Sequence, residues 1–291
     1  MSTSVPRHAY PVDNTAEGLA VLDETLSWVV GELEDPDDTG RSQALSVSVA
    51  LAQSRCAIDP EASKFETWDA WVTAMQIGCA LFDSAASAEG PVPCRIGGTG
   101  EVKYLPATGP TSYTHVGAWL TAWYLATICR ENERLDRLAH VPVSFLRQSG
   151  AVFDEYVYDW VEALQSFWFQ RPAEMWDKLV AAIKKTDPDT APHIADKETL
   201  LKLLYPPLEL FQLCNRGDAE RFNSALFEFL TWHKQYWADG EERAQSSDGL
   251  VALGLLAIAC MAYDNDLPVE VQSQYLPKHL LQRSWVGEFD T

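Results

Sequence analysis

The chain has 291 residues, of which 47% are hydrophobic, and a formal net charge of −20 from 22 basic and 42 acidic side chains. That length and apolar content can bury one large core or two, which excludes a disordered protein. So acidic a chain disfavours DNA, RNA and anionic membranes as direct ligands, because binding phosphate needs a basic surface; it suits a cationic partner, or the acidity simply keeps the protein soluble.

Residues 1–13 read as a flexible tail with two prolines. Residues 14–291 read as a single all-α domain, or as two helical subdomains meeting near 140–153. A helix opens at Asn14-Thr15 and runs to about residue 33, with Leu19, Leu22, Leu26 and Val29-Val30 as its stripe. Residues 34–40 form an acidic turn whose carboxylates lack a calcium-loop spacing, so it reads as solvated. The periodicity predicts helices over 41–57 and 60–86, the second carrying Phe65, Trp68, Trp71, Met75, Cys79 and Phe82 in register. Two short runs flank Gly97-Gly98-Thr99-Gly100 and predict one small β-hairpin near 92–105. This glycine cluster lacks the Lys-Ser/Thr ending of a phosphate loop and opens no helix.

Thr111 or Ser112 should cap an apolar helix ending near residue 130, with Val116, Trp119, Leu120, Trp123 and Ile128 on its seam. His115 reads as a hydrogen-bonded helix-end residue. Arg130, on a buried helix, calls for a carboxylate partner or solvent, and a structural ion pair is expected. Beyond residue 150 the rhythm is regular. Helices over 154–169 and 172–184 form a pair, and one over 197–204 is broken by Pro206-Pro207 and resumes to 215. A long helix follows over 218–237, capped by Asp218 and closed by Asp239-Gly240. A polar loop, 241–247, leads to a helix over 248–262 that is apolar nearly all round; Pro268 and Pro277 each suit a first helical turn. Helices joined by short loops pack antiparallel. The expected class is therefore all-α, built of stacked antiparallel helix pairs resembling a helical repeat, with that one hairpin.

Six cysteines without a CxxC pair or zinc-like spacing fit a reducing compartment. Residues 1–14 lack the apolar core of a signal peptide, and no run reaches membrane-spanning length without polar interruption. The expected location is the cytoplasm. There is no His-Glu-x-x-His, Gly-x-Ser-x-Gly or Walker sequence, and the six histidines are scattered without metal-ligand spacing. No catalytic residue, metal or cofactor is expected. The candidate partner-binding residues are acidic: Glu155, Asp159 and Glu162 on one stripe, then Asp239, Glu241 and Glu242, then Asp264 and Asp266, with Asp187 and Asp189 beside them. Each group reads either as a solvated face or as a receiver of Lys and Arg from a partner.

Several idiosyncratic runs belong together. They are Phe222-Asn223, Trp232-His233-Lys234-Gln235-Tyr236-Trp237 and Tyr275-Leu276-Pro277-Lys278-His279-Leu280, with the stretch 105–114, Trp119, Arg130, Ser149-Gly150 and Asp154-Glu155-Tyr156 upstream. In these the chain resembles the immunity protein 49 family, bacterial proteins encoded beside polymorphic toxins. The resemblance implies a protein that binds and neutralises a cognate toxin by contact; the acidic charge, separately, would suit a basic toxin such as a nuclease. It implies structural roles for Trp119, Arg130, Trp232, His233, Tyr236, Trp237, Tyr275, Leu276, Pro277 and His279. The alternatives are a helical adaptor that binds a peptide or helix in a groove, and an all-α enzyme whose site assembles from distant residues.

Overall fold

A computed structural model of the chain describes residues 3–11, 15–35, 39–98, 102–189, 193–289 and 291. Asn14, the centre of the acidic turn (36–38) and the tip of the glycine turn (99–101) lie outside them. In chain order the elements are β1 (Ser4–Val5), α1 (Thr15–Gly31), α2 (Thr39–Ile58), α3 (Phe65–Ala86), β2 (Val92–Arg95), β3 (Val102–Leu105), α4 (Val116–Cys129), α5 (Asn132–Ala139) and α6 (Val143–Leu146). Then come α7 (Glu155–Trp168), α8 (Pro172–Lys185), α9 (Lys197–Thr199), α10 (Pro206–Arg216), α11 (Ala219–Trp237), α12 (Glu241–Ala244), α13 (Leu253–Asp264), β4 (Gln272–Ser273) and α14 (Lys278–Leu281). The fold is all-α, as the periodicity predicts; among the described residues the strands make only two two-stranded pairings. The chain forms two compact units, one of Met1–Ala9 with Val152–Leu276 and one of Tyr10–Ala151 with Pro277–Thr291.

In the unit of Tyr10–Ala151 and Pro277–Thr291, α3 is the core. A helix apolar on nearly every side has no solvent face to offer, and Trp71, Met75 and Phe82 are at most 1% exposed. It packs between α2 and α4. Gly78 admits α4 closely, since a Cβ there would stand 3.1 Å from that of Ala122. The helix begins at Phe65 rather than at residue 60, and Asp59 is the reason. Its carboxylate accepts from the N–H groups of Ser63 (3.0 Å) and Lys64 (2.9 Å), holding both in a turn. Burial opposes the charge on Asp59, but those bonds outweigh it and keep its pKa below the usual carboxylate value. β2 and β3 form the expected hairpin, with Val92 opposite Leu105 and Arg95 opposite Val102.

His115 caps α4, its Nδ1 accepting from the N–H of Ala118 at 3.0 Å. Trp119 and Trp123 stack at 4.9 Å, and the Trp119 indole N–H donates to the carbonyl of Leu138 at 2.9 Å. α4 ends at Arg130, in the left-handed conformation with φ 60°. The structure sets backbone carbonyls around its side chain. The Arg130 guanidinium donates to Ile128 and Leu280 at 2.7 Å and to Leu281 at 2.8 Å. The last carbonyls of a helix have no partner within it, so α14 offers acceptors to the fork.

In the unit of Met1–Ala9 and Val152–Leu276, α7 buries Trp160, Val161 and Leu164 and α8 buries Met175, Leu179 and Ala182. Trp160 and Phe167 both meet Phe211 of α10 edge-on, at 5.1 and 5.3 Å. The expected break at Pro206-Pro207 is present: the helical run ends at Leu204 in a widened turn and α10 resumes at Pro206. Neither proline has an N–H to donate, and Leu200–Leu204 adopts a π turn in which the N–H of Tyr205 reaches Leu200 at 2.9 Å. α11 buries Phe222, Leu226, Phe229, Leu230 and His233, and Asp218 caps it through the N–H of Arg221 at 3.1 Å. Residues 241–244, expected as loop, form α12.

α13 begins at Leu253 and not at residue 248, because Ser247–Gly249 winds as a 3-10 turn and the N–H of Ala252 is diverted to Tyr275 at 3.1 Å. By length and composition Ser247–Asp264 could cross a membrane, contrary to the sequence reading; 61% of it is buried inside the fold, as in a core helix. Pro268 lies in the loop before β4, and Pro277 directly precedes α14. β1 pairs in parallel with β4, Ser4 opposite Gln272, and Val5 is 3% exposed. Residues 3–9, read from sequence as part of a flexible tail, are thus packed into this unit.

Candidate partner-binding surface

The acidic residues singled out from the sequence fall into different environments. On α7, Asp159 and Glu162 face α8. Lys185 bonds Asp159, and Lys178 reaches Glu162 at 2.6 Å. The bond to Glu162 raises the pKa of Lys178 against a smaller effect of burial. These two carboxylates are answered within the chain. Glu155 lies exposed at the start of α7. Asp187 accepts from the N–H of Asp189, and Asp189 lies 3.7 Å from Lys197.

Asp239 sits 3.6 Å from Arg243, which stacks over Tyr236 at 4.0 Å and pairs with Glu198 at 3.0 Å. Bonds from Lys202 and then Arg243 hold the pKa of Glu198 below the usual value. Glu241 accepts from the Gln245 amide at 2.9 Å. Glu242, Asp264 and Asp266 are exposed, the last with φ 58°.

The motif residues build interior structure. His233 is buried on α11, and its Nε2 lies 3.1 Å from the carbonyl of Gly249. A carbonyl only accepts, so that nitrogen carries the proton. Burial lowers the His233 pKa to about 4, so the ring is neutral in the fold. The ring of Tyr275 meets His233 edge-on at 4.7 Å. The Tyr275 hydroxyl takes the N–H of His8 at 2.8 Å and contacts its Nδ1 at 2.9 Å. Trp237 covers Gly249, where a Cβ would come within 2.8 Å of the indole. Trp232 leans on Phe229 at 5.2 Å, and Leu276 is 3% exposed. In the other unit Trp119 and Arg130 make the bonds described above, and the N–H of His279 donates to the carbonyl of Glu61 at 2.9 Å. The sequence gives no signal for His8 or Gly249 in this cluster, since their partners lie far along the chain.

Sequence reading also passed over the outer side of α1. Its inward stripe was legible, but Val21 and Trp28, seven residues apart and off that stripe, stand exposed at 57% and 50%. The groove between α3, β2 and α5 has a volume of about 640 Å³ and is lined by Asp83, Cys94, Arg95, Arg134, Arg137 and His140 among others. Arg137 donates to both oxygens of Asp83 at 3.1 Å. Burial raises the Cys94 thiol to about 11, which keeps it protonated and a poor nucleophile at neutral pH. Among the described residues, no group of three or more His, Cys, Asp or Glu side chains could hold a metal ion.

Compared with protein families, residues 59–280 match the family model described as Immunity protein 49. Comparison with curated proteins and with solved structures returns no match.

Proposed function

The chain belongs to the immunity protein 49 family, and from that premise we propose that it binds a cognate toxin and neutralises it by occupying its surface, with no substrate turned over. The family match carries the reading. The charge supports a cationic toxin: at −20 the chain attracts a basic surface and speeds its approach. A nuclease is the kind of toxin such a field suits. Steering needs no single patch, and the exposed carboxylates of Glu155, Glu241, Glu242, Asp264 and Asp266 contribute to it. Asp159, Glu162 and Asp239 contribute less, because Lys185, Lys178 and Arg243 offset their charge. The protein acts in the cytoplasm of the cell that makes it.

The test is protection. Cells expressing the toxin encoded beside this chain should survive when it is co-expressed, and the two purified proteins should elute as one complex. Equal killing with and without it, and separate elution, would sink the reading.

A further inference from the structure

We propose that the outward face of α1 is the seat on which the cationic partner docks, with Trp28 at its centre. The inference rests on the toxin-binding reading above and names the surface and the chemistry it takes. α1 buries Leu19, Leu26 and Val29. On its other side Glu17, Val21, Glu24 and Trp28 follow one another at helical spacing, hence along one stripe. Val21 and Trp28 are half or more exposed there. A large aromatic held on a rigid helix in water is the residue type that anchors protein interfaces.

Charge selects the occupant. Between residues 15 and 35 the charged residues are Glu17, Asp23, Glu24, Glu32, Glu34 and Asp35, with no Lys or Arg among them. Arg55 of α2 reaches Asp23 at 2.8 Å, but Asp23 lies off the stripe. A second copy of the chain would bring −20 against −20, and like charges facing each other oppose association. A basic surface meets the reverse: a Lys or Arg stem can lie along the indole with its cation over the ring, while Glu17 and Glu24 receive charges on either side. The stripe also lies outside residues 59–280, the span that matches the family model. The pattern shared by the family therefore does not dictate it, and it is free to suit one particular toxin.

The experiment titrates the full chain with the purified toxin domain encoded beside it. Trp28→Ala should weaken binding about 30-fold. Glu24→Lys should weaken it roughly 5-fold, chiefly through slower association, with the difference shrinking in about 0.5 M salt. Ile194→Ala removes an apolar side chain that is 62% exposed in the other unit and should leave the Kd unchanged. All three variants should melt as the wild type does. If the wild type binds and both α1 variants bind as tightly, the α1 seat is overturned while toxin binding stands. If the wild type forms no complex, both fall. A dimer of the free chain that Trp28→Ala dissolves would replace the cationic occupant with a second copy and overturn the proposal.

Discussion

Each unit ties down a distant stretch of its chain, and the two ties use opposite chemistry. In the unit of Tyr10–Ala151 and Pro277–Thr291 the tie is a permanent charge, with Arg130 donating to the carbonyls of Leu280 and Leu281. In the unit of Met1–Ala9 and Val152–Leu276 the tie is neutral. Tyr275 binds His8 and packs on His233, whose own proton goes to Gly249. A guanidinium stays charged at any pH a protein survives, whereas a buried imidazole must stay uncharged for its tie to hold. The contrast teaches that motif residues of one family can share a structural role and yet fail under different conditions.

Acidification should separate the two ties most. The folded pKa of His233, about 4, lies below the ordinary 6.5, so the unfolded chain binds the proton more readily throughout that window. Stability is therefore intact above pH 6.5 and falls as the pH drops toward 4, by about 3 kcal/mol from this residue alone. Burial lowers the pKa of His8 as well, which acts in the same direction. Urea unfolding followed from pH 7 to 5 should show a shallower slope for His233→Gln than for wild type. Identical slopes would remove the neutral imidazole from the account.

Arg130→Ala comes next. It takes the guanidinium from the carbonyls of Leu280 and Leu281 and should cost about 2 kcal/mol in urea unfolding at about pH 7. A loss within error of zero would remove this tie from the account. Gly249→Ala should cost about 1.5 kcal/mol by pushing a methyl group into the Trp237 indole; a rise in melting temperature would show that the indole can yield freely. Tyr275→Phe, the mildest change, removes the hydroxyl that receives His8 and should cost about 1 kcal/mol. Amide exchange should then quicken around residues 4–8 while staying slow on α3, and uniform quickening would argue against a local tie.

Much of the fold was legible, and the misreadings share a cause. Helix positions followed from spacing, as at Phe222, Leu226, Phe229 and Leu230 on α11. Helix starts were misplaced where a side chain or a distant backbone group captured the N–H groups the helix would have used: Asp59 before α3, and Tyr275 before α13. Of the acidic candidates, the sequence shows their spacing but not what faces them. The α7 stripe looked open because Lys178 and Lys185 sit on a different helix. The α1 face was missed for the converse reason. Its inward stripe satisfied the helical pattern, and nothing local tells whether Val21 and Trp28 are covered.

The sequence by itself determined the helical class and the family, because helix periodicity and short motifs are written over a few consecutive turns. Tertiary structure alone decided which polar groups find their partners inside the chain. It set the carbonyls of Leu280 and Leu281 before Arg130 and the Tyr275 hydroxyl before His8, 267 residues away. Such pairings depend on where the backbone brings distant segments, and a window along the chain holds no record of that.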